Sequence, residues 1–206
     1  MPLLPQTIAE IERIKAALPE SRSALLPALK VAQRERGWLP QETLAEVAGM
    51  LGLDANAAYM LATFYTMLHT EPVGRYVLEV CRSLPCYLVG CDTIIAQLGE
   101  KLGVEPGGTS ADGIFTLAIG ECLGDCMHAP MMRVNDDFVG PLRPEGLDEV
   151  LVNLRSRAGA ARKRGLTADP SAGAVPNEGA LTFSNAIGAW PKAAGELGRL
   201  TTGEER

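Results

Sequence analysis

The stretches Arg75-Tyr-Val-Leu-Glu-Val-Cys81-Arg-Ser-Leu-Pro-Cys86 and Phe115-Thr-Leu-Ala-Ile-Gly-Glu-Cys-Leu-Gly-Asp-Cys126 share one pattern. Each opens with a run of β-branched and apolar residues that reads as a strand and closes with a cysteine pair, Cys81-x4-Cys86 and Cys122-x3-Cys126. Two such loops at neighbouring strand ends bring four thiolates towards one point. Four thiolates are the ligand set of a [2Fe–2S] cluster, two for each iron, and equally the set of a structural zinc site. Spacing does not decide between them, because x4 and x3 both fall within the range of zinc knuckles. The setting favours iron. Zinc ribbons hold up domains that lack a core, whereas this chain has 206 residues, 47% of them hydrophobic, and can bury a core of its own. Neither the bacterial two-cluster nor the plant-type ferredoxin spacing is met. Cys126-Met-His128 looks like half of a Rieske site, but no C-x-x-H partner accompanies it. From the residues alone iron–sulfur, zinc and inert or disulfide-linked thiols all stay open.

Composition narrows the setting. A net charge of −6 argues against a nucleic-acid or anionic-membrane surface. No apolar run approaches the roughly 20 residues of a spanning helix, so direct membrane insertion is not expected. The N-terminus has neither the basic nor the apolar region of a secretory signal. Five cysteines, an odd number and clustered, suit a reducing cytoplasm better than a disulfide scaffold.

The chain divides into three regions. Residues 1–72 are expected to form a helical bundle. Ile8, Ile11, Ile14 and Leu18 trace one apolar face before Pro19, and Leu25, Leu26, Leu29 and Ala32 trace a second that ends at Gly37. Pro40 suits the first turn of a third helix with Leu44, Val47, Ala48 and Leu51 inward, and Asp54 suits the cap of a fourth through Met60 and Phe64. Helices three and four imitate a helix-turn-helix, but no lysine or arginine lies between Gln41 and Thr66. A recognition helix without cations cannot collect the phosphate contacts that dominate DNA affinity.

Residues 73–155 are expected to form a small α/β domain. It comprises a strand through Val80, a helix Asp92–Leu102, a strand Ile114–Ile119, a hairpin turning at Asn135-Asp-Asp137, and a closing helix from Pro144-Glu145 through Leu154. Residues 156–206 read as a flexible tail. It begins with a basic patch, Arg155 to Arg164, becomes Gly/Ala/Pro/Ser-rich, and carries Phe183, Ile187 and Trp190 as a candidate anchor over 183–190.

An ordered set of motifs surrounds the four cysteines: Thr63-Phe-Tyr-Thr66, Pro72-Val-Gly-x-Tyr76, Val80-Cys-x4-Cys86-x3-Gly90, Glu121-Cys-Leu-Gly-x-Cys126-x2-Ala-Pro-Met131 and Val134-Asn-Asp136. Over about residues 8–153 the chain resembles the thioredoxin-like [2Fe–2S] subunit of bacterial NADH:quinone oxidoreductase (complex I). It is also similar to the related gamma subunits of NAD-dependent formate dehydrogenases and hydrogenases. The resemblance implies an α/β chain with an N-terminal helical bundle followed by a thioredoxin-like [2Fe–2S] ferredoxin domain. It implies one [2Fe–2S] cluster on Cys81, Cys86, Cys122 and Cys126, and an electron-transfer role in an NADH dehydrogenase. The implied partners are a flavoprotein subunit that holds NADH and FMN, with which the cluster exchanges an electron, and a larger iron–sulfur subunit. The implied place is the cytoplasmic side of the inner membrane, peripheral through the complex. A structural zinc or scaffold module is the alternative of another class.

Cys91 departs from the family, where a small residue such as alanine commonly follows Gly90, and reads as a buried hydrophobe rather than a ligand. Arg82 reads as solvated, although an arginine facing a cluster would favour its reduced form. No dinucleotide fingerprint, P-loop or nucleophile–base pair is visible, and Gly103-Val-Glu-Pro-Gly-Gly108 lacks the strand–turn–helix context. The chain is therefore not expected to oxidise NADH alone. The turn Ala129-Pro130 is a candidate for a cis peptide bond, as thioredoxin-like folds often place before a strand.

Overall fold

The computed structural model describes residues 2–163, with side chains through Ala158. Four helices come first: α1 (Pro5–Ala17), α2 (Ser21–Arg36), α3 (Gln41–Leu51) and α4 (Ala55–Phe64). The apolar faces legible in the sequence meet in one core, in which Ile11, Leu25, Leu29, Leu44, Val47 and Leu51 are buried and Ile8, Ile14, Leu18 and Leu26 pack around them. Helix α2 ends at Gly37 and α3 at Gly52, both in left-handed conformation. Pro40 is not inside α3 but directly before it, in extended conformation, and its carbonyl receives the N–H groups of Thr43 and Leu44. Asp54 caps α4 by accepting from the Asn56 N–H at 2.8 Å. The buried stripe of α4 is made of alanines, Ala58 and Ala62. Leu61 packs against that core, whereas Tyr59, Met60 and Phe64 face outward, with Met60 69% and Phe64 78% exposed.

The second half is a four-stranded sheet of β1 (Tyr76–Cys81), β2 (Phe115–Gly120), β3 (Met132–Val134) and β4 (Asp137–Val139), in spatial order β2-β1-β3-β4. Strands β1 and β2 are parallel, and β3 runs antiparallel to both β1 and β4. A parallel pair needs a crossover, supplied here by the short helix α5 (Leu84–Leu88) and by α6 (Cys91–Leu102). The final helix α7 (Leu147–Lys163) comes after a 3-10 turn over Pro144–Gly146. Leu78, Val80, Phe115, Leu117, Met132 and Val134 of the sheet share a core with Ile94, Leu98, Leu147 and Leu151.

The β3–β4 turn falls where Asn135-Asp-Asp137 predicts it. Asn135 takes φ 56°, a conformation that asparagine tolerates better than most residues. Its side chain extends the ladder, accepting from the Val77 N–H at 2.9 Å and donating to the Arg75 carbonyl at 3.2 Å. Both Ala129–Pro130 and Gly140–Pro141 are cis.

Two expectations change. Helix α7 does not stop near Arg155 but continues to Lys163. Ala158 is buried in the sheet core, and its carbonyl accepts from Arg75 Nη1 at 3.4 Å. Arg155, read as the start of a basic patch, stacks 5.2 Å over the Phe115 ring and approaches Asp112 at 3.5 Å. The candidate anchor at 183–190 lies outside the described residues. Among those described, no helix is long and apolar enough to cross a membrane.

Candidate metal centre

The two cysteine loops leave the same end of the sheet because β1 and β2 are parallel. Their last register pair is Cys81 and Gly120, so Cys122 comes just beyond the level at which Cys81 ends its strand. The backbone ties the loops at that point: the Arg82 N–H donates to the Gly120 carbonyl at 2.8 Å, and the Cys81 N–H donates to Met131 O at 3.0 Å. After Cys81 the chain turns into α5, where Pro85 sits in the first turn and Cys86 is buried. The second loop turns through Gly124 at φ 84°, a conformation that glycine adopts without strain. It then enters the 3-10 turn Cys126–His128.

None of the cysteines Cys81, Cys86, Cys91, Cys122 and Cys126 is in a disulfide; the first three are buried and the last two exposed. Cys81 and Cys86 lie near enough for their thiols to interact. Burial first, and the hydrogen bond to Cys81 second, push the Cys86 thiol up to about 11. Burial disfavours a free thiolate there, whereas a bound metal ion deprotonates its thiol ligands outright. Among the described residues no three or more His, Cys, Asp or Glu side chains converge on a single point, so the second pair is not drawn onto the first. A cluster of two irons asks for two pairs, one for each iron, and two pairs on adjoining loops at one sheet end fit that donor set.

Cys91 is the first residue of α6, wholly buried beside Ile94 and Leu98. Its thiol is raised chiefly by burial, then by Asp92. Arg82 is engaged with Asp92, Nε to Oδ1 at 2.9 Å, on the surface. Two pairs near the loops are not foreseen from the sequence. Glu79 of β1 is buried and ion-paired with Arg133, its register partner on β3; alternation alone would have placed a glutamate at this position in water. Asp125 receives His128 Nδ1 at 2.8 and 2.9 Å, and the spacing of three residues in a tight turn was the available signal.

A parallel β1–β2 pair, an antiparallel β3–β4 hairpin and two cysteine pairs at one end of the sheet define a thioredoxin-like ferredoxin. The chain belongs to the thioredoxin-like [2Fe-2S] ferredoxin family, which matches it over residues 11–155. It is 46% identical over 147 residues to an NADH-quinone oxidoreductase E subunit (the one numbered 2) of Rhizobium meliloti, covering 71% of this chain and 88% of that protein. It is 38% identical over 132 residues to the NADH-quinone oxidoreductase E subunit of Pseudomonas aeruginosa, covering 64% of this chain and 80% of that one. Among solved structures, an NAD+-reducing [NiFe]-hydrogenase in the air-oxidised state superposes with a TM-score of 0.58 at 22% identity, over 65% of this chain. That match spans 23% of the hydrogenase chain and is a likeness of fold.

Proposed function

We propose that this chain is the electron-carrying [2Fe–2S] subunit of an NADH:quinone oxidoreductase, with Cys81 and Cys86 as one ligand pair and Cys122 and Cys126 as the other. The observation that carries the reading is the register of Cys81 with Gly120, which starts both ligand loops from one end of the sheet. When bound, such a cluster passes one electron at a time, at a potential set by its charge, the hydrogen bonds to sulfur and its exposure. The chain's own part is to hold the thiolates, to bury one pair, and to present the other at the surface. Cys91, enclosed in the core, stands outside the ligand set.

The partner is a flavoprotein subunit that carries the NADH site and FMN, with a larger iron–sulfur subunit beyond it. Supporting this, the ligand loops are rimmed by exposed apolar side chains: Leu84, Tyr87, Leu88 and Val89 around Cys86, and Met127 after Cys126. Apolar groups gathered at one place on a surface mark an interface, and covering them with a partner would shield the cluster from water. The place of action is then peripheral, at the cytoplasmic face of the inner membrane through the complex. Relatives at 38–46% identity favour the quinone reductase over an NAD-linked hydrogenase or formate dehydrogenase.

The test is the absorption and EPR spectrum of the purified chain together with its iron and sulfide content. A red-brown protein with equal iron and acid-labile sulfide supports the reading. A colourless zinc protein overturns it.

A further inference from the structure

The second cysteine loop is secured differently from the first. Cys122 and Cys126 are exposed, so packing does little to fix them, and Met127 beside Cys126 is 93% exposed. The 3-10 turn that carries Cys126 has long backbone bonds: His128 N–H to Asp125 O at 3.2 Å and Ala129 N–H to Cys126 O at 3.4 Å. Both exceed the usual 2.9–3.0 Å. The side chains close the same turn more tightly. Asp125 receives His128 Nδ1 at 2.8 Å on one oxygen and 2.9 Å on the other. A carboxylate only accepts, so Nδ1 is the donor of this pair.

The backbone of His128 is anchored from the opposite side. A Cβ placed on Gly140, the residue after β4, would collide with the His128 carbonyl oxygen and lie 3.2 Å from the His128 Cβ. The hairpin end therefore rests directly against His128. Its ring then reaches forward to the residue that precedes Cys126.

We propose that Asp125 and His128 form a positioning pair that ties the Cys126 thiolate to the β4 end of the sheet and so holds the cluster in its more exposed half. The proposal rests on Cys126 being a cluster ligand. Both side chains are partly exposed, 29% and 43%, so the pair adds little to global stability. Its effect falls on the ligand geometry. Groups that orient metal ligands typically change metal affinity by about 10–100-fold when removed.

The experiment uses the full-length protein carrying its cluster, and reads the rate at which the visible absorption bleaches under an iron chelator and the EPR line shape after reduction. His128→Phe keeps a ring and removes the donor, Asp125→Ala removes the acceptor, and His128→Asn restores an N–H at the position of Nδ1. The first two variants are expected to bleach about tenfold faster or more, with a broadened signal and an unchanged far-ultraviolet dichroism spectrum. His128→Asn is expected to return both readouts towards wild type. Wild-type rates in both His128→Phe and Asp125→Ala overturn the proposal, as does a His128→Asn variant no better than His128→Phe. Unfolding of both variants also counts against it, since the pair would then be structural. A wild-type chain that assembles no [2Fe–2S] spectrum refutes the ligand reading instead, and that outcome is told apart before any variant is made.

Discussion

Cys81 and Gly120 stand opposite each other as the final register pair of β1 and β2, and the Arg82 N–H closes the pair onto the Gly120 carbonyl at 2.8 Å. An antiparallel arrangement of the same strands would have sent the two cysteine loops to opposite ends of the sheet. Parallel pairing is therefore the condition for one shared site. The crossover through α5 and α6 is what permits it.

Serine at each cysteine tests the assignment. Cys81→Ser, Cys86→Ser, Cys122→Ser and Cys126→Ser should each bleach the visible spectrum or alter the EPR signal of the reduced protein. Cys91→Ser should leave both unchanged, because that thiol is enclosed in the core. An ordinary cluster in Cys122→Ser, or a missing one in Cys91→Ser, would be incompatible with the proposed ligand set.

The Glu79–Arg133 pair crosses from β1 to β3, two residues before Cys81, with side-chain exposures of 10% and 18%. Removing one member of such a pair leaves the other buried and uncompensated. Arg133→Met alone should cost about 3 kcal/mol. The double variant Glu79→Leu with Arg133→Met should recover most of that loss, since an apolar pair of similar volume is tolerated. Urea denaturation of the single and double variants measures the coupling, and additive losses would show that the ion pair is not a unit.

His69 lies close enough to Arg133 to feel its charge. Burial first, and Arg133 second, hold its imidazole below the usual 6.5. The unfolded chain therefore takes up this proton before the folded one does. The stability that the neutral ring contributes is complete above pH 6.5 and falls as pH drops through the lowered folded value. Thermal midpoints of wild type and His69→Gln, compared from pH 8 to pH 5, should diverge from near pH 6.5 downward, wild type losing more. Parallel curves would remove His69 from the acid sensitivity.

What could be read in the sequence depended on how local the determining physics was. The strands ending at the cysteine loops, the Asp54 cap and the end of α2 at Gly37 are set by residues adjacent in sequence, and they lie where they were expected. Helix α5 is not legible in the sequence because Leu84–Leu88 is too short to show a period. In α4 nearly every position is apolar, so the pattern does not say which face is buried. Packing chose Ala58 and Ala62 and left Tyr59, Met60 and Phe64 outside. The end of α7 is not legible either, because its last turns are basic and small, whereas Arg155 and Ala158 find partners, Phe115 and Arg75, that are distant in sequence.

The division of labour with a flavoprotein can be tested by binding. The isolated chain should bind NADH and FMN no better than an unrelated protein. With the flavoprotein subunit it should form a stable complex that supports NADH:acceptor activity. Leu88→Ser and Met127→Ser should weaken that complex while the cluster spectrum stays intact, because a fully buried apolar side chain contributes up to about 1.5–3 kcal/mol. Submicromolar NADH binding by this chain alone, measured by calorimetry, would overturn the division.

Two truncations separate α7 from the residues after it. Removing everything after Arg164 leaves α7 whole, and should preserve both the cluster and the thermal midpoint. Removing everything after Arg155 deletes Ala158, which is buried at 7% exposure, and releases the Arg75 guanidinium from its carbonyl. Losing that small apolar contact, one long hydrogen bond and the last turns of the helix should cost about 1–2 kcal/mol. The cluster should still form, since Leu147, Leu151 and Leu154 stay in the sheet core. Denaturant midpoints of the two truncated proteins, each loaded with its cluster, decide the matter. Equal stability would mean that the helix beyond Arg155 adds nothing to the core. Loss of the cluster on cutting after Arg164 would make residues 165–206 part of the cluster-bearing domain and move its boundary past Lys163.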